Sequence, residues 1–208
     1  MRIIHLFADL CNLYGDYGNV CALKRALENK GQTVEVEYQS IDDTIDVSGA
    51  DIVFIGSATE RNQKVALQYL QDYKDNIKAA LDNGTVILAT GNSFEMFGQN
   101  ITDCDGTKYD GLSFFPYETT EGKERIVTDS LCGTSLCGGD IIGFVNKASI
   151  TTGVTSPLFD VKQGNGNGRD DGKEGVHYGN FYGTHLIGPV LIRNPQLCGY
   201  FAEMLIKE

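Results

Sequence analysis

No run of eighteen apolar residues occurs anywhere in this 208-residue chain, so no membrane-spanning helix is expected. Basic residues are scarce: 17 Lys and Arg stand against 28 Asp and Glu, a formal net charge of −11. That balance excludes nucleic acid and acidic membrane surfaces as partners, because both require a basic footprint. The apolar opening from Met1 to Phe7 gives way at once to Ala8-Asp9, too short a stretch for a signal peptide, and a cytoplasmic location is expected. The six cysteines (Cys11, Cys21, Cys104, Cys132, Cys137, Cys198) show no disulfide-like spacing and read as reduced, small, half-buried residues. Cys132 and Cys137 are too far apart for a zinc knuckle and lack a second pair of ligands, so no metal is expected. No Gly-x-x-x-x-Gly-Lys-Ser/Thr loop and no Gly-x-Gly-x-x-Gly after a strand is present, which removes the usual devices for holding ATP or a dinucleotide. No cofactor is expected, and any ATP-dependent synthesis would need a partner.

What the chain does have is alternation in its first half. Arg2–Phe7, Thr33–Tyr38, Asp51–Ile55 and Val86–Thr90 read as strands. Between them fall a helix from Asn19, an acceptable N-cap, to Lys30, with Gly31 closing it, and a long helix from Glu60 to Leu81. This βαβ order implies a parallel sheet flanked by helices on both faces, with ligands beyond the carboxyl ends of the strands, at 8–18, 56–60 and 91–93. The second half changes character. Leu112–Pro116, Arg125–Thr128, Ile141–Asn146, Ser149–Thr152 and Val176–Tyr178 read as short strands of hairpin-like spacing, followed by a last strand at Phe181–His185 and a closing helix at Pro195–Lys207. The glycine- and charge-rich segment 163–174 reads as a flexible, solvent-exposed hairpin tip, since its net charge repels phosphate. No linker is evident. The reading is one α/β domain over 1–208, flavodoxin-like, with an antiparallel extension in the second half.

Three segments carry a family resemblance: 9–19 (Asp-Leu-Cys-Asn-Leu-Tyr-Gly-Asp-Tyr-Gly-Asn), 54–63 (Phe-Ile-Gly-Ser-Ala-Thr-Glu-Arg-Asn-Gln) and 183–195 (Gly-Thr-His-Leu-Ile-Gly-Pro-Val-Leu-Ile-Arg-Asn-Pro). With Ile142–Lys147 and the Gly-Asn-Gly loop, they resemble the class I glutamine amidotransferases of the cobyric acid synthase type over essentially the whole chain. Within that family they are most similar to the glutaminase subunits of lipid II isoglutaminyl synthase. The resemblance implies a class I glutamine amidotransferase-like fold, a role in peptidoglycan amidation, a Mur-ligase-like ATP-using partner, and a small ligand such as glutamine.

The resemblance breaks at the chemistry. The family writes its strand–turn–helix elbow as Cys-Gly-Gly-Tyr/Phe-Gln-x-x-Gly, and anchoring on Phe94 and Gly98 sets Gly91 at the cysteine, Asn92 and Ser93 at the glycines and Glu95 at the glutamine. Near the C-terminus the family writes Gly-Thr-Tyr-Leu-His-Gly-Pro, and the histidine position here is Ile187, with His185 at the tyrosine. Glutamine hydrolysis needs a thiolate to attack the amide and an imidazole to move the proton, and glycine and isoleucine supply neither. The expectation is a subunit without glutaminase activity, with a substrate-binding region around Gly56, Ser57, Asn92, Ser93 and Arg125. The alternative is an active amidase with a relocated nucleophile, Ser93 working with His185. His185 and Ile187, two apart on a strand, would share one face. Against that alternative, Ser93 reads equally as a cap for the short helix after it, and His185 as a surface or cleft residue. Gly91 is expected at positive φ, the conformation of a nucleophile elbow that glycine adopts without a Cβ clash.

Overall fold

The computed structural model describes residues 1–207. Strand β1 (Arg2–Leu6) is followed by helix α1 (Tyr17–Asn29), β2 (Glu35–Gln39), β3 (Ile52–Ile55), α2 (Glu60–Gln71), α3 (Lys74–Asp82) and β4 (Val86–Thr90). β5 (Asn100–Thr102), β6 (Lys108–Asp110), β7 (Glu118–Gly133), β8 (Ile141–Thr152), β9 (Phe159–Gln163) and β10 (Lys173–Glu174) come next. β11 (Val176–Tyr178), β12 (Phe181–Thr184), α4 (Val190–Arg193) and α5 (Pro195–Lys207) complete the chain. No helix among the described residues is long and apolar enough to cross a membrane.

The first sheet has the order β11-β12-β4-β3-β1-β2, parallel throughout except for the β11–β12 pair at one edge. Its central strands β3 and β4 are buried at every position, as a sheet covered on both faces requires. One face packs Val20, Leu23 and Leu27 of α1 and Phe201 of α5, and the other packs Leu67 and Leu70 of α2 and Ile77 of α3. The second sheet, β10-β9-β7-β5-β6 with β8 beside β7, is mostly antiparallel and stands beyond the carboxyl ends of the first. Phe144 of β8 joins the two regions through an antiparallel bridge to Ile187.

The predicted helix over 60–81 is two helices. An unbroken helix would carry Lys74 onto the inward stripe of Leu67 and Leu70, and the break at Tyr73 (φ −113°) puts the Tyr73 ring against the core instead. Asn19 is not a cap: α1 starts at Tyr17, and the Asn19 side chain takes the Leu191 N–H at 2.8 Å. Leu112–Pro116 is a turn, with Ser113 at φ 57° and the Phe97 carbonyl accepting from Phe114 and Phe115. The separate strands predicted at 141–146 and 149–152 are one, β8, and 125–128 lies inside the 16-residue β7, whose register shifts between Glu121 and Ile126.

The strand ends that face the second sheet are held by one carboxylate. Asp16, fully buried in the loop after β1, accepts from Ser57 N at 2.6 Å, Thr90 Oγ1 at 2.7 Å and Asn19 Nδ2 at 3.3 Å. It thereby ties the ends of β3 and β4 to the start of α1. Burial pushes its carboxyl up to about 6, with the Thr90 and Ser57 bonds working in the opposite direction. Asp16→Ala leaves three buried donors without this acceptor, and the expected loss is about 2–4 kcal/mol in urea unfolding. A loss below about 1 kcal/mol would show that the loops hold without the clamp.

Candidate functional site

The Val86–Thr90 strand runs straight into Gly91, at φ 64°, and then into a short 3₁₀ helix, Ser93–Phe97. The turn therefore has the left-handed apex expected of an elbow. What stands against that apex is Ser57. A Cβ built on Gly91 would overlap the Ser57 Oγ and Cβ outright and stand 2.9 Å from its Cα. A rotamer change cannot relieve a clash with a Cα atom. Ser57 in turn cannot easily retreat, because its N–H is bonded to Asp16 and its carbonyl accepts from Leu13 N at 2.9 Å.

A narrow crevice opens beside this turn, with Gly91, Ser57, Asn92, Arg125 and His185 among its lining residues. The Asn92 side chain accepts from Ala58 N at 3.0 Å, fixing the two loops to each other. Arg125, on β7, reaches Glu60 at 2.7 Å and Asn146 at 2.9 Å, so it stands at the mouth with its guanidinium already held. The structure thus lines one crevice with five of the residues singled out in the sequence. Gly56, Ser93 and Ile187 lie off it. Gly56 passes so close to the Cys11 carbonyl that a Cβ there would collide with it, and its own carbonyl accepts the Ser93 hydroxyl. Ile187 is buried and paired to Phe144.

Two sequence readings need correction. Ser93 and His185 are not partners, since the Ser93 hydroxyl is committed to the Gly56 carbonyl and the His185 ring points to Glu95 and Lys147. Nor does Ser93 cap the 3₁₀ helix, whose N-cap is Asn92 without a side-chain bond. His185 is neither on a strand nor at the surface: β12 ends at Thr184, and the ring is buried edge-on to Phe94 with centroids 4.5 Å apart.

Behind the crevice lies a buried polar cluster that the sequence did not announce. Glu95, at the family's glutamine position, accepts from Ser149 Oγ at 2.5 Å, Gln63 Nε2 at 2.8 Å and His185 Nε2 at 3.2 Å. Lys147 Nζ donates to the Asn167 carbonyl at 2.7 Å and lies 3.4 Å from both His185 ring nitrogens, hence over the face of the ring. Glu174 accepts from the His185 N–H at 2.7 Å and the Thr184 hydroxyl at 2.8 Å. The segment 163–174 is therefore not a free tip. Gln163, Gly164 and residues 169–173 are exposed, while Gly166, Asn167 and Gly168 are buried, Asn167 exchanging two hydrogen bonds with the Gly175 backbone and Gly166 leaving no room for a Cβ against Lys173.

Desolvation governs the charges. Burial raises the Glu95 carboxyl and takes Glu174 up to about 7, while burial lowers Lys147 to about 8 against the pull of Glu95 and Glu174. Burial and the Lys147 cation hold His185 well below its ordinary range, so the ring is neutral at pH 7. Cys11 is the cysteine beside the elbow, and burial pushes its thiol up to about 12, the reverse of what a nucleophile needs. The arrangement holds a neutral imidazole, an ammonium and two carboxyls in mutual contact, with no activated nucleophile beside Gly91.

The sheet order, the crevice at the carboxyl ends and the strand–turn–helix beside it define the class I glutamine amidotransferase fold. The structure superposes on a crystal structure of a glutamine amidotransferase with a TM-score of 0.64 at 13% identity, covering 97% of this chain and 98% of that one. It superposes on a glutamine amidotransferase of Thermotoga maritima with a TM-score of 0.58 at 10% identity, over 100% and 84% of the two chains. Residues 2–195 match the CobB/CobQ-like glutamine amidotransferase domain, and the chain belongs to that family. It is 32% identical over 203 residues to the lipid II isoglutaminyl synthase (glutamine-hydrolyzing) subunit GatD of Staphylococcus aureus (strain N315), covering 98% of this chain and 83% of that protein. Identity to the subunit of the same name from Streptococcus pneumoniae (strain ATCC BAA-255 / R6) is 32% over 211 residues, covering 100% and 81%.

Two outcomes follow from this geometry. Gly91→Cys should cost at least about 2 kcal/mol, combining left-handed strain with overlap on Ser57. Ser57→Gly in the same chain should recover part of that loss, and additive effects in a double-mutant cycle by urea unfolding would refute the contact. The second outcome concerns pH. Glu174 has its folded value raised, so its stabilising contribution is full at low pH and fades as pH rises through about 7. Between pH 6.5 and 8 Lys147, lowered to about 8, gives up part of its proton in the folded chain, and the buried histidines take up protons only in the unfolded chain near the lower end; both oppose the Glu174 trend. On going from pH 8 to 6.5 the natural chain should therefore gain about 1 kcal/mol relative to Glu174→Gln, read as the difference between their urea-unfolding free energies at the two pH values. An unchanged slope in the variant would remove Glu174 from the account.

Proposed function

We propose that this chain is an amidotransferase-fold subunit of the lipid II isoglutaminyl synthase type, serving peptidoglycan amidation in the cytoplasm without glutaminase chemistry of its own. The reading takes residues 1–208 as one working unit with a Mur-ligase-like, ATP-using partner, and takes its role as structural, regulatory or ligand-binding. Family membership and the full-length similarity to the two GatD subunits support the assembly and its pathway. A single observation carries the loss of chemistry: Ser57 fills the volume that a Cβ on Gly91 would need. A thiolate at that apex would have to displace Ser57 from its bond to Asp16 before it could meet an amide carbonyl.

The rest of the site agrees with this reading. Ile187 is an aliphatic residue committed to a backbone bridge, and the imidazole that lines the crevice, His185, is engaged by Glu95 and Lys147. His185 is spent on Glu95, and the cysteine near the turn carries a thiol that stays protonated. What the crevice retains is a polar lining, Arg125 at the mouth with Asn92 and Ser57 within, in a space of about 20 Å³ that must widen before a small ligand such as glutamine could enter.

Purified protein in molar excess over glutamine, alone and with the ligase-like subunit present, should release no glutamate above the uncatalysed background. Removal of nucleophile and base together costs on the order of 10⁶ in rate in hydrolases built on such a pair. A glutamine-analogue electrophile should likewise leave the protein unlabelled by mass spectrometry. Stoichiometric labelling at any residue would overturn the proposal and name the true nucleophile.

A further inference from the structure

Outside the crevice, a groove of about 820 Å³ runs between the outer side of α2 and the β5–β6 hairpin. Its two walls are fixed to each other at both ends. At the end of α2, Gln71 Nε2 donates to the carbonyls of Asp110 and Gly111 at 2.8 and 3.2 Å. Toward the start of α2, the Lys64 ammonium is paired with Glu121 of β7 and lies 5.7 Å from the centre of the Tyr109 ring. Between these anchors Val65, Leu67 and Tyr109 supply apolar surface. A groove of this size suits a small ligand, and walls held in this way need little rearrangement to receive one.

Charge in the groove is mixed, and most of it is already committed. Glu60 accepts from Arg125 at 2.7 Å, Glu121 from Lys64, and Asp103 from the N–H groups of Asp105 and Thr107 at 3.0 and 2.9 Å. Two charged side chains of the lining, Arg61 and Asp110, are exposed and make no hydrogen bond or ion pair among the described residues. They stand at opposite ends. Arg61 lies in the first turn of α2, and Asp110 is fixed beside Gln71, ten residues on, so about 15 Å of helix separates them. A purely anionic ligand would meet Asp110, and a purely cationic one Arg61. A ligand with one charge of each sign at its two ends satisfies both. An extended peptide of about four or five residues with free termini covers that distance, at about 3.3–3.6 Å per residue.

We infer that the groove between α2 and the β5–β6 hairpin binds a short zwitterionic peptide, its carboxylate on Arg61, its ammonium on Asp110 and its apolar side chains over Val65 and Tyr109. The site goes beyond the proposed function and does not require it. It also shares a wall with the crevice, since Glu60 and Glu121 line both. The carboxylate end of the peptide lies within about one helical turn of Lys64, the partner of that shared Glu121, so occupancy of the groove is felt in the crevice.

The probe is penta-alanine with free termini, titrated into the isotope-labelled natural chain and followed by amide chemical shifts. Binding should saturate with a Kd of about 1 mM or below, as expected of two charge-assisted contacts and a small apolar footprint. The shifts should fall on α2 and the hairpin and reach Glu121. Amidating the C-terminus or acetylating the N-terminus should each weaken binding about 5-fold, the usual worth of a charge pair at a partly exposed site. Arg61→Gln should weaken the free peptide to the same degree and abolish the effect of amidation, and Asp110→Asn should do the same for acetylation. Both side chains are exposed, so both variants should fold, which an unchanged spectrum away from the groove reports. Asp75→Asn, an exposed change on α3, should bind as the natural chain does. No saturation by about 10 mM would overturn the site. Losses on capping that persist undiminished in both variants would place the termini elsewhere and overturn it too. A peptide capped at both ends that binds as tightly as the free one would give the groove to an internal segment of a protein, and equally overturn it.

Discussion

The geometry of this molecule's site depends on one buried carboxylate. Asp16 gathers the ends of β3 and β4 and the start of α1 through three hydrogen bonds, and the loops that bring Tyr14, Ser57 and Gly91 to the crevice are attached to those ends. A carboxylate is suited to the task because it accepts several donors at once, from backbone and side chain alike. The consequence reaches Gly91 in two steps. Asp16 fixes the Ser57 backbone, and Ser57 fills the space at the apex of the turn. The missing side chain at position 91 is thus a packing requirement of the surrounding loops as well as an absence of chemistry.

The second sheet is fastened to this arrangement by ionisable groups rather than by apolar contact alone. Lys147 from β8, Glu174 from β10, His185 after β12 and Glu95 from the turn after β4 meet in a dry interior. Taking such groups from water is expensive, and removing one partner of a set usually costs more than the set gains in stability. Their value here is directional: each bond has one acceptable register, so β8 and β10 can approach the elbow in one way only. The hydroxyls of Ser149 and Thr184 complete the remaining bonds.

Much of the first sheet was legible in the sequence because its signals are local. The apolar run at 52–55, the strand at 86–90 and the glycine at 91 each declare themselves within a few residues, and the family motifs fix their order. The polar cluster was not legible. Lys147 and Glu174 are 27 positions apart, and no spacing rule joins a lysine in a strand to a glutamate beyond a glycine-rich loop. The same loop was legible only in part: glycine and charge marked its exposed stretches, but not the buried turn at 166–168, where Gly166 lets the backbone pass against Lys173. His185 was misplaced because the strand was carried one residue too far, past Thr184, and a single step along a strand reverses the face. The break at Tyr73 was hidden for a different reason, since the apolar pattern of 60–81 counts residues and does not show which of Tyr73 and Lys74 turns inward.

The contact between Gly91 and Ser57 also bears on heredity. Some glycine codons become cysteine codons by a single-base change, so a thiol at a glycine position is often one mutational step away. In this chain that step lands on an occupied site, because the Cβ of the new residue would meet the Cα of Ser57, a residue tethered by its own backbone. Reversion would require a coordinated second change at or near position 57, and a lineage taking either step alone would pass through a less stable protein. The packing around the elbow thus opposes a cysteine at position 91 on grounds of stability alone, whatever chemistry the thiol would bring.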